Sequence, residues 1–377
     1  MRHLLPFALI AATAAAAQPF AIGTISTSYY DAQRSRSVTC EVYYPATSMG
    51  TGTPVEAGAF PLLVVGHGFV MSVNAYTYLQ QYFVPMGYIV VLPTTESGFA
   101  PDHAAFGADI AFLSAALRAA HTDPLSPFFG HVQPLTALMG HSMGGGAAFL
   151  GTAGNADVQA LVVMAPAETN PSAIAAASTV QVPTLVFAAS EDCVTPIADH
   201  AQPMYDALVQ PCRAFVNITG GGHCYFGDSN FNCTFGELTC GPNLTISRAD
   251  QQDVVTDIAE LWLRVHLFGD VGADAALTDS LANSTRFVAT SICLSTGVDD
   301  AGEIDGWNAV TTADGLQITG LGPGDEVHCH DTVGRLLGSA IAGGGSTLVL
   351  GIRSGGLLLI SVHRAGGVRV QQLAVGR

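Results

Sequence analysis

The feature that most restricts this chain is a series of short, continuously apolar runs, each closed by Gly, Pro or a polar residue. They are Leu62–Val65, Tyr88–Leu92, Leu135–Met139, Ala160–Met164, Thr184–Ala188 and Ala214–Ile218. A strand with one wet face alternates in polarity, whereas a strand covered on both faces reads apolar throughout, as in a parallel sheet. Helical stretches separate the runs at Ala75–Val84, Ala104–Ala120, Met143–Gly151 and Pro196–Val209. A last one, Ala249–Phe268, puts Val254, Ile258, Leu261 and Val265 on one face before Gly269 stops it. Two earlier segments, Thr24–Tyr29 and Val38–Tyr44, are strand-like and expected to pair. The sum is an open α/β sheet of about eight mostly parallel strands over residues 18–270.

Beyond Gly269 the texture changes. Residues 271–303 are small and polar and read as a linker. From residue 304 to 377, strand-like pieces alternate with Gly-rich turns and no helical period survives, as in a small all-β, sandwich-like module. At the other end, Arg2 and His3 precede an apolar run that closes on Ala15-Ala16-Ala17, the pattern of an export signal over residues 1–17 with processing near Gln18. Pro6 interrupts that run, which is shorter than the roughly 20 residues a bilayer needs, so no transmembrane span is expected. Thirteen arginines and no lysine stand against 30 acids, a net charge of −17 that leaves no basic face for nucleic acid. With 49% hydrophobic residues, the chain is not a disordered polar one.

The chemistry is expected at strand ends. Gly140-His141-Ser142-Met143-Gly144 follows an apolar strand and opens a helix, the strand–turn–helix context of a nucleophile elbow in an α/β-hydrolase fold. The two glycines remove side chains that so sharp a turn would press against backbone. A serine hydroxyl needs a base held by a third group, and in this fold the order is Ser, acid, His. Asp192 follows the strand Thr184–Ala188, and His223 follows Gly220-Gly221-Gly222 after the next strand, so both fall on the edge that carries Ser142. Glu191 and Glu168 are the rival acids. Thr195 and Pro196 read as the cap and first residue of the next helix. Gly66-His67-Gly68-Phe69 ends the first central strand, and the backbone N–H groups of Phe69 and Met143 are the expected oxyanion donors. Phe69, Met143, Val194 and Tyr225 are expected to line an apolar cleft.

Eight cysteines fit an oxidising compartment. Cys193 follows the expected acid and Cys224 the expected base, so a Cys193–Cys224 bridge is predicted, with a local Cys233–Cys240 bridge. Cys40 and Cys212 read as buried thiols. His328-Cys329-His330-Asp331 is the one metal-like cluster, but alternate strand positions point to opposite faces, so no metal and no cofactor are expected.

Several of these motifs resemble those of bacterial cutinases and polyester (PET) hydrolases. They are Gly140–Gly146, Val182–Phe187, Glu191–Pro196 and Gly221–His223, and Gly66–Phe69 with Met86–Val91 resembles the related chlorophyllase and dienelactone-hydrolase branch. The likeness spans about residues 35–270. It implies a secreted serine carboxylesterase with Ser142 as nucleophile, Asp192 as acid, His223 as base and a polymer- or lipid-like ester as substrate, the catalytic domain acting as a monomer. Cutinases usually carry Tyr where Phe69 stands and a Trp near Ala167, where this chain has Ala-Glu-Thr. Its loop Tyr225–Pro242 is longer and carries cysteines. A lipase- or chlorophyllase-like esterase is the alternative activity, and a binding protein on the same scaffold the non-catalytic one. The C-terminal module resembles, through Asp314–Ile318 and Asp331–Leu336, the sorting domain of type IX secretion, which implies a contact with secretion machinery.

Overall fold

The computed structural model describes residues 19–209, 212–293, 307–312, 315–330, 336–343, 347–350, 356–364 and 367–375. Residues 1–17, read from the sequence as an export signal, lie outside them. The chain divides after Cys293 into two units.

The first unit runs β1 (Ala21–Asp31), β2 (Arg36–Ala46), β3 (Gly50–Thr51), β4 (Phe60–Gly66), α1 (Thr77–Phe83), β5 (Ile89–Pro93), α2 (His103–Ala120), β6 (Val132–His141), α3 (Met143–Thr152), β7 (Ala160–Met164), α4 (Ala173–Ala177) and β8 (Thr184–Ala189). It continues through α5 (Ala201–Ala207), β9 (Cys212–Ile218), α6 (Phe231–Leu238), α7 (Arg248–Phe268), α8 (Val271–Asn283) and β10 (Phe287–Cys293). These ten strands form one sheet in the order β10-β9-β8-β7-β6-β4-β5-β2-β1-β3. The centre, from β5 to β9, is parallel, and β2 and β10 join its flanks antiparallel.

The unbroken apolarity of the central strands has its expected cause. In β4, Leu62 and Val64 enter one core with α2 and α3, while Leu63 and Val65 enter a second core with α1 and α7; all four are fully buried. Strand β4 leads to β5 on one side, whereas β6 leads to β7 on the other. The crevice between β4 and β6 is thus a topological switch point, where open α/β sheets place their ligands.

The stretch 271–303 read as a linker is corrected over its first part. Residues 271–283 form α8, capped by the Asp270 carboxylate on the Ala273 N–H, and 287–293 form β10, the edge strand beside β9. Small residues disguised both: the helix buries only Ala273 and Leu277, and the strand is mostly solvent-facing. Register places Cys293 opposite Cys212, and they form a disulfide, so Cys212 is not a thiol. Cys40 is a buried thiol. We expect a chain ending after Cys293 to melt as one cooperative unit, and a chain ending at Asp274 to melt at least ~5 °C lower, because it bares the β9 edge and loses a bridge worth about 2–4 kcal/mol. Equal melting temperatures would count against this boundary.

The second unit carries β11 (Asn308–Thr312), β12 (Gly315–Thr319), β13 (Glu326–His330), β14 (Leu336–Ile341), β15 (Thr347–Leu350), β16 (Gly356–Arg364) and β17 (Gly367–Val375). They form sheets β11-β12-β15 and β14-β13-β16-β17. Cys329 is buried with Val327, Ile360 and Val362 in this unit's apolar core.

Candidate active site

Ser142 stands between β6 and α3 with φ +54° and ψ −122°, a backbone conformation that side-chain-bearing residues rarely adopt. The neighbours hold it there. Its N–H donates to Met164 O (3.0 Å), and its carbonyl accepts from Gly145, Gly146 and Ala167 N–H. A Cβ at Gly140 would lie 2.1 Å from Gly144 O, and one at Gly144 2.2 Å from Gly66 O. No side chain fits between β4, β6 and the start of α3. Met143 opens α3, so its N–H is among the first-turn donors that have no partner within the helix.

Asp192 lies in the turn after β8, with both oxygens occupied. Oδ1 accepts from the Val194 N–H (2.9 Å) and the Thr195 N–H (2.8 Å). Oδ2 accepts from His223 Nδ1 (2.8 Å) and the Thr195 hydroxyl (2.9 Å). Ser190 N–H to Ile218 O and Glu191 N–H to Gly221 O join the loop after β8 to the loop after β9, which carries His223. The rival acids are engaged elsewhere: Glu168 accepts from Ile174 N–H, and Glu191 from the Ser190 hydroxyl. Thr195 does not cap a helix, since α5 starts only at Ala201; its hydroxyl sits 3.0 Å from His223 Nδ1, beside the Asp192–His223 bond.

His223 is buried and held through its backbone. Gln251, fully buried on α7, bonds both the N–H and the carbonyl of Gly222. Behind it runs a chain with no sequence signature. The Gly68 N–H donates to Tyr76 Oη (2.8 Å), Tyr76 Oη lies 2.9 Å from His141 Nδ1, and His141 Nε2 lies 3.1 Å from His223 O. Burial and the neighbouring His223 push the His141 pKa well below the ordinary value, so it is neutral, and burial likewise raises that of Tyr76. A carbonyl only accepts, so the His141 proton sits on Nε2 and Nδ1 accepts from the tyrosine. The loop after β4, the residue before Ser142 and the backbone of His223 are joined by one set of bonds.

Phe69 lies on the loop after β4, half exposed, followed by Val70 at φ +53°. Val194 is exposed. One face of the half-buried Tyr225 ring is covered by the Arg248 guanidinium, 4.6 Å from its centroid.

The predicted Cys193–Cys224 and Cys233–Cys240 bridges are corrected: the pairs are Cys193–Cys240 and Cys224–Cys233. Cys233 lies on α6 and Cys240 two residues past its end. The five helical steps from Cys233 to Leu238 already rise about 7.5 Å, past the roughly 7 Å within which bridged Cα atoms must lie. Each of the two cysteines reaches a different loop instead, Cys240 the one beside Asp192 and Cys233 the one beside His223. Glu237, the one buried residue of α6, accepts at its Oε1 from the Cys224 N–H.

Residues 6–239 match the PET hydrolase-like family. The chain belongs to that family. This PET hydrolase-like chain is 27% identical over 186 residues to Cutinase 2 of Thermobifida cellulosilytica, covering 48% of this chain and 68% of the relative. It is 28% identical over 186 residues to Cutinase cut1 of Thermobifida fusca (48% and 56%). It is 27% identical over 201 residues to the bis(hydroxyethyl) terephthalate hydrolase of Streptomyces coelicolor (52% and 58%). Among the described residues, no helix is long and apolar enough to cross a membrane.

The buried His141 and the half-buried His266 give this PET hydrolase-like fold a pH signature. Burial against Trp262 and the Cys212 sulfur lowers the His266 pKa to about 4, and His141 is also depressed. On unfolding both return to the ordinary value near 6.5, so below that pH the unfolded chain binds more protons and the folded state loses stability. The loss begins near pH 6.5, and the His266 share saturates below about pH 4, at roughly 3 kcal/mol. Urea unfolding between pH 7 and 4 should show a shallower decline in His266→Gln; an unchanged slope would count against this assignment.

Proposed function

We propose that this chain is an exported serine carboxylesterase acting on polyester- or cutin-like esters. The observation that carries the reading is the bond of Asp192 to His223 Nδ1, which leaves Nε2 as the nitrogen that serves Ser142 on its strained turn. His223 takes the Ser142 proton as the hydroxyl attacks the ester carbonyl. The amides of Phe69 and Met143 hold the tetrahedral oxyanion, with the first turn of α3 adding its dipole. His223 returns the proton to the departing alcohol, and water then releases the acid from Ser142 by the same steps. The three disulfides fit an oxidising destination, and the C-terminal strands serve export rather than turnover.

A fluorophosphonate that acylates activated serines tests the reading. Labelling should map to Ser142 and disappear in His223→Ala. Failure to label folded protein would favour a binding protein on this scaffold. The Ala167-Glu168-Thr169 segment favours a second reading, an esterase for small or lipid esters, because it puts no aromatic ring where cutinases usually stack the acyl group. p-Nitrophenyl esters of increasing chain length, assayed beside a polyester film, separate the two.

A further inference from the structure

Helix α6 is amphipathic in the wrong sense for a surface helix. Its single charged residue, Glu237, is buried, whereas Phe231, Phe235 and Leu238 are 82%, 62% and 72% exposed. Their i, i+4, i+7 spacing puts them on one stripe, the face that normally packs inward. The Phe231 and Phe235 rings stack on each other, 6.2 Å apart, and leave their outer faces to water. The helix is firmly held. The Cys233–Cys224 disulfide ties it to the loop of His223, the Cys240–Cys193 disulfide ties the turn just past its end to the loop of Asp192, and Asn232 Nδ2 donates to Val70 O (3.0 Å) beside Phe69. Phe69 in turn meets the exposed Phe99 edge-on at 6.4 Å. The apolar stripe therefore runs from the oxyanion loop to the acid loop, along the border of the candidate site.

We propose that α6, with Phe69 and Phe99, is a docking rim that seats the surface of a water-insoluble, uncharged ester beside Ser142. The exposed positions of α6 carry no charge, which complements a neutral surface, and the net charge of −17 repels an anionic one. Continuity with the site assigns the stripe to substrate rather than to a second copy of the chain. This inference rests on the esterase reading for its substrate class, while the docking itself is measurable without turnover.

Adsorption is read on full-length Ser142→Ala protein with polycaprolactone nanoparticles. Adding Phe231→Ser, Phe235→Ser and Leu238→Ser should weaken adsorption at least tenfold. In the active background the same three changes should lower the ratio of turnover on particles to turnover on dissolved p-nitrophenyl acetate at least tenfold. A purely structural defect would lower both activities together and leave the ratio unchanged. Unchanged adsorption, an unchanged ratio, or a wild-type dimer in light scattering that the three changes split would each overturn the proposal. A protein that adsorbs through the stripe yet hydrolyses neither substrate would overturn the esterase reading alone.

Discussion

Ser142→Ala should abolish ester turnover, by roughly 10⁴-fold or more, with little change in melting temperature. Asp192→Asn should come close to it, and the bonding shows why. Val194 and Thr195 both aim N–H groups at Oδ1, so the amide of an asparagine must keep its oxygen there. Its NH₂ then faces His223 Nδ1, which becomes an acceptor and shifts the ring proton to Nε2. An Nε2–H cannot take the serine's proton. Loss of about 10⁴-fold in the acylation rate is the expected size of a wrong tautomer. Thr195→Ala leaves the Asp192–His223 bond in place and should cost less than about tenfold. Single-turnover acylation by a p-nitrophenyl ester measures all three. An Asp192→Asn enzyme as fast as Thr195→Ala would remove Asp192 from the mechanism.

Gly144→Ala is the second large effect, and it is steric. The new Cβ would meet Gly66 O at 2.2 Å and His67 O at 2.6 Å, both backbone atoms of the strand end that leads into the oxyanion loop. Neither can swing aside as a side chain would, so β4 and α3 must separate. Overpacking of this kind costs about 3 kcal/mol, and a displacement near 1 Å between nucleophile and oxyanion donors costs roughly 10²-fold in rate. Gly236→Ala is the control: on exposed α6 a Cβ meets nothing within 4 Å, and the change should stabilise by about 0.5–1 kcal/mol. Urea midpoints and kcat for the pair check the argument. A Gly144→Ala protein with native stability would show that the close approach is not needed.

The sequence was most readable where function depends on local backbone. A serine between glycines at the end of an apolar strand, an acid after the next-but-one strand and a histidine after three glycines each need only their own neighbours to be recognised. The structure brings Asp192 and His223 into contact as that order requires. Where contacts are distant or patterns weak, reading failed. Helix α6 inverts the usual polarity and β10 is mostly wet, so neither declared itself, and both bridge errors and the Cys212 thiol follow from those two omissions. Thr195 has the residue type and position of a helix cap, and only the late start of α5 reveals its other use. Tyr76 and Gln251 act through bonds to backbone atoms 8 and 29 positions away, for which no short pattern exists.

The bonds from Gly68 through Tyr76 and His141 to the His223 carbonyl behave as a common ruler. One end is fixed at the amide beside Phe69, the other at His223, and the middle belongs to the residue preceding Ser142. Their spacing is therefore set by two fully buried side chains, those of Tyr76 and His141.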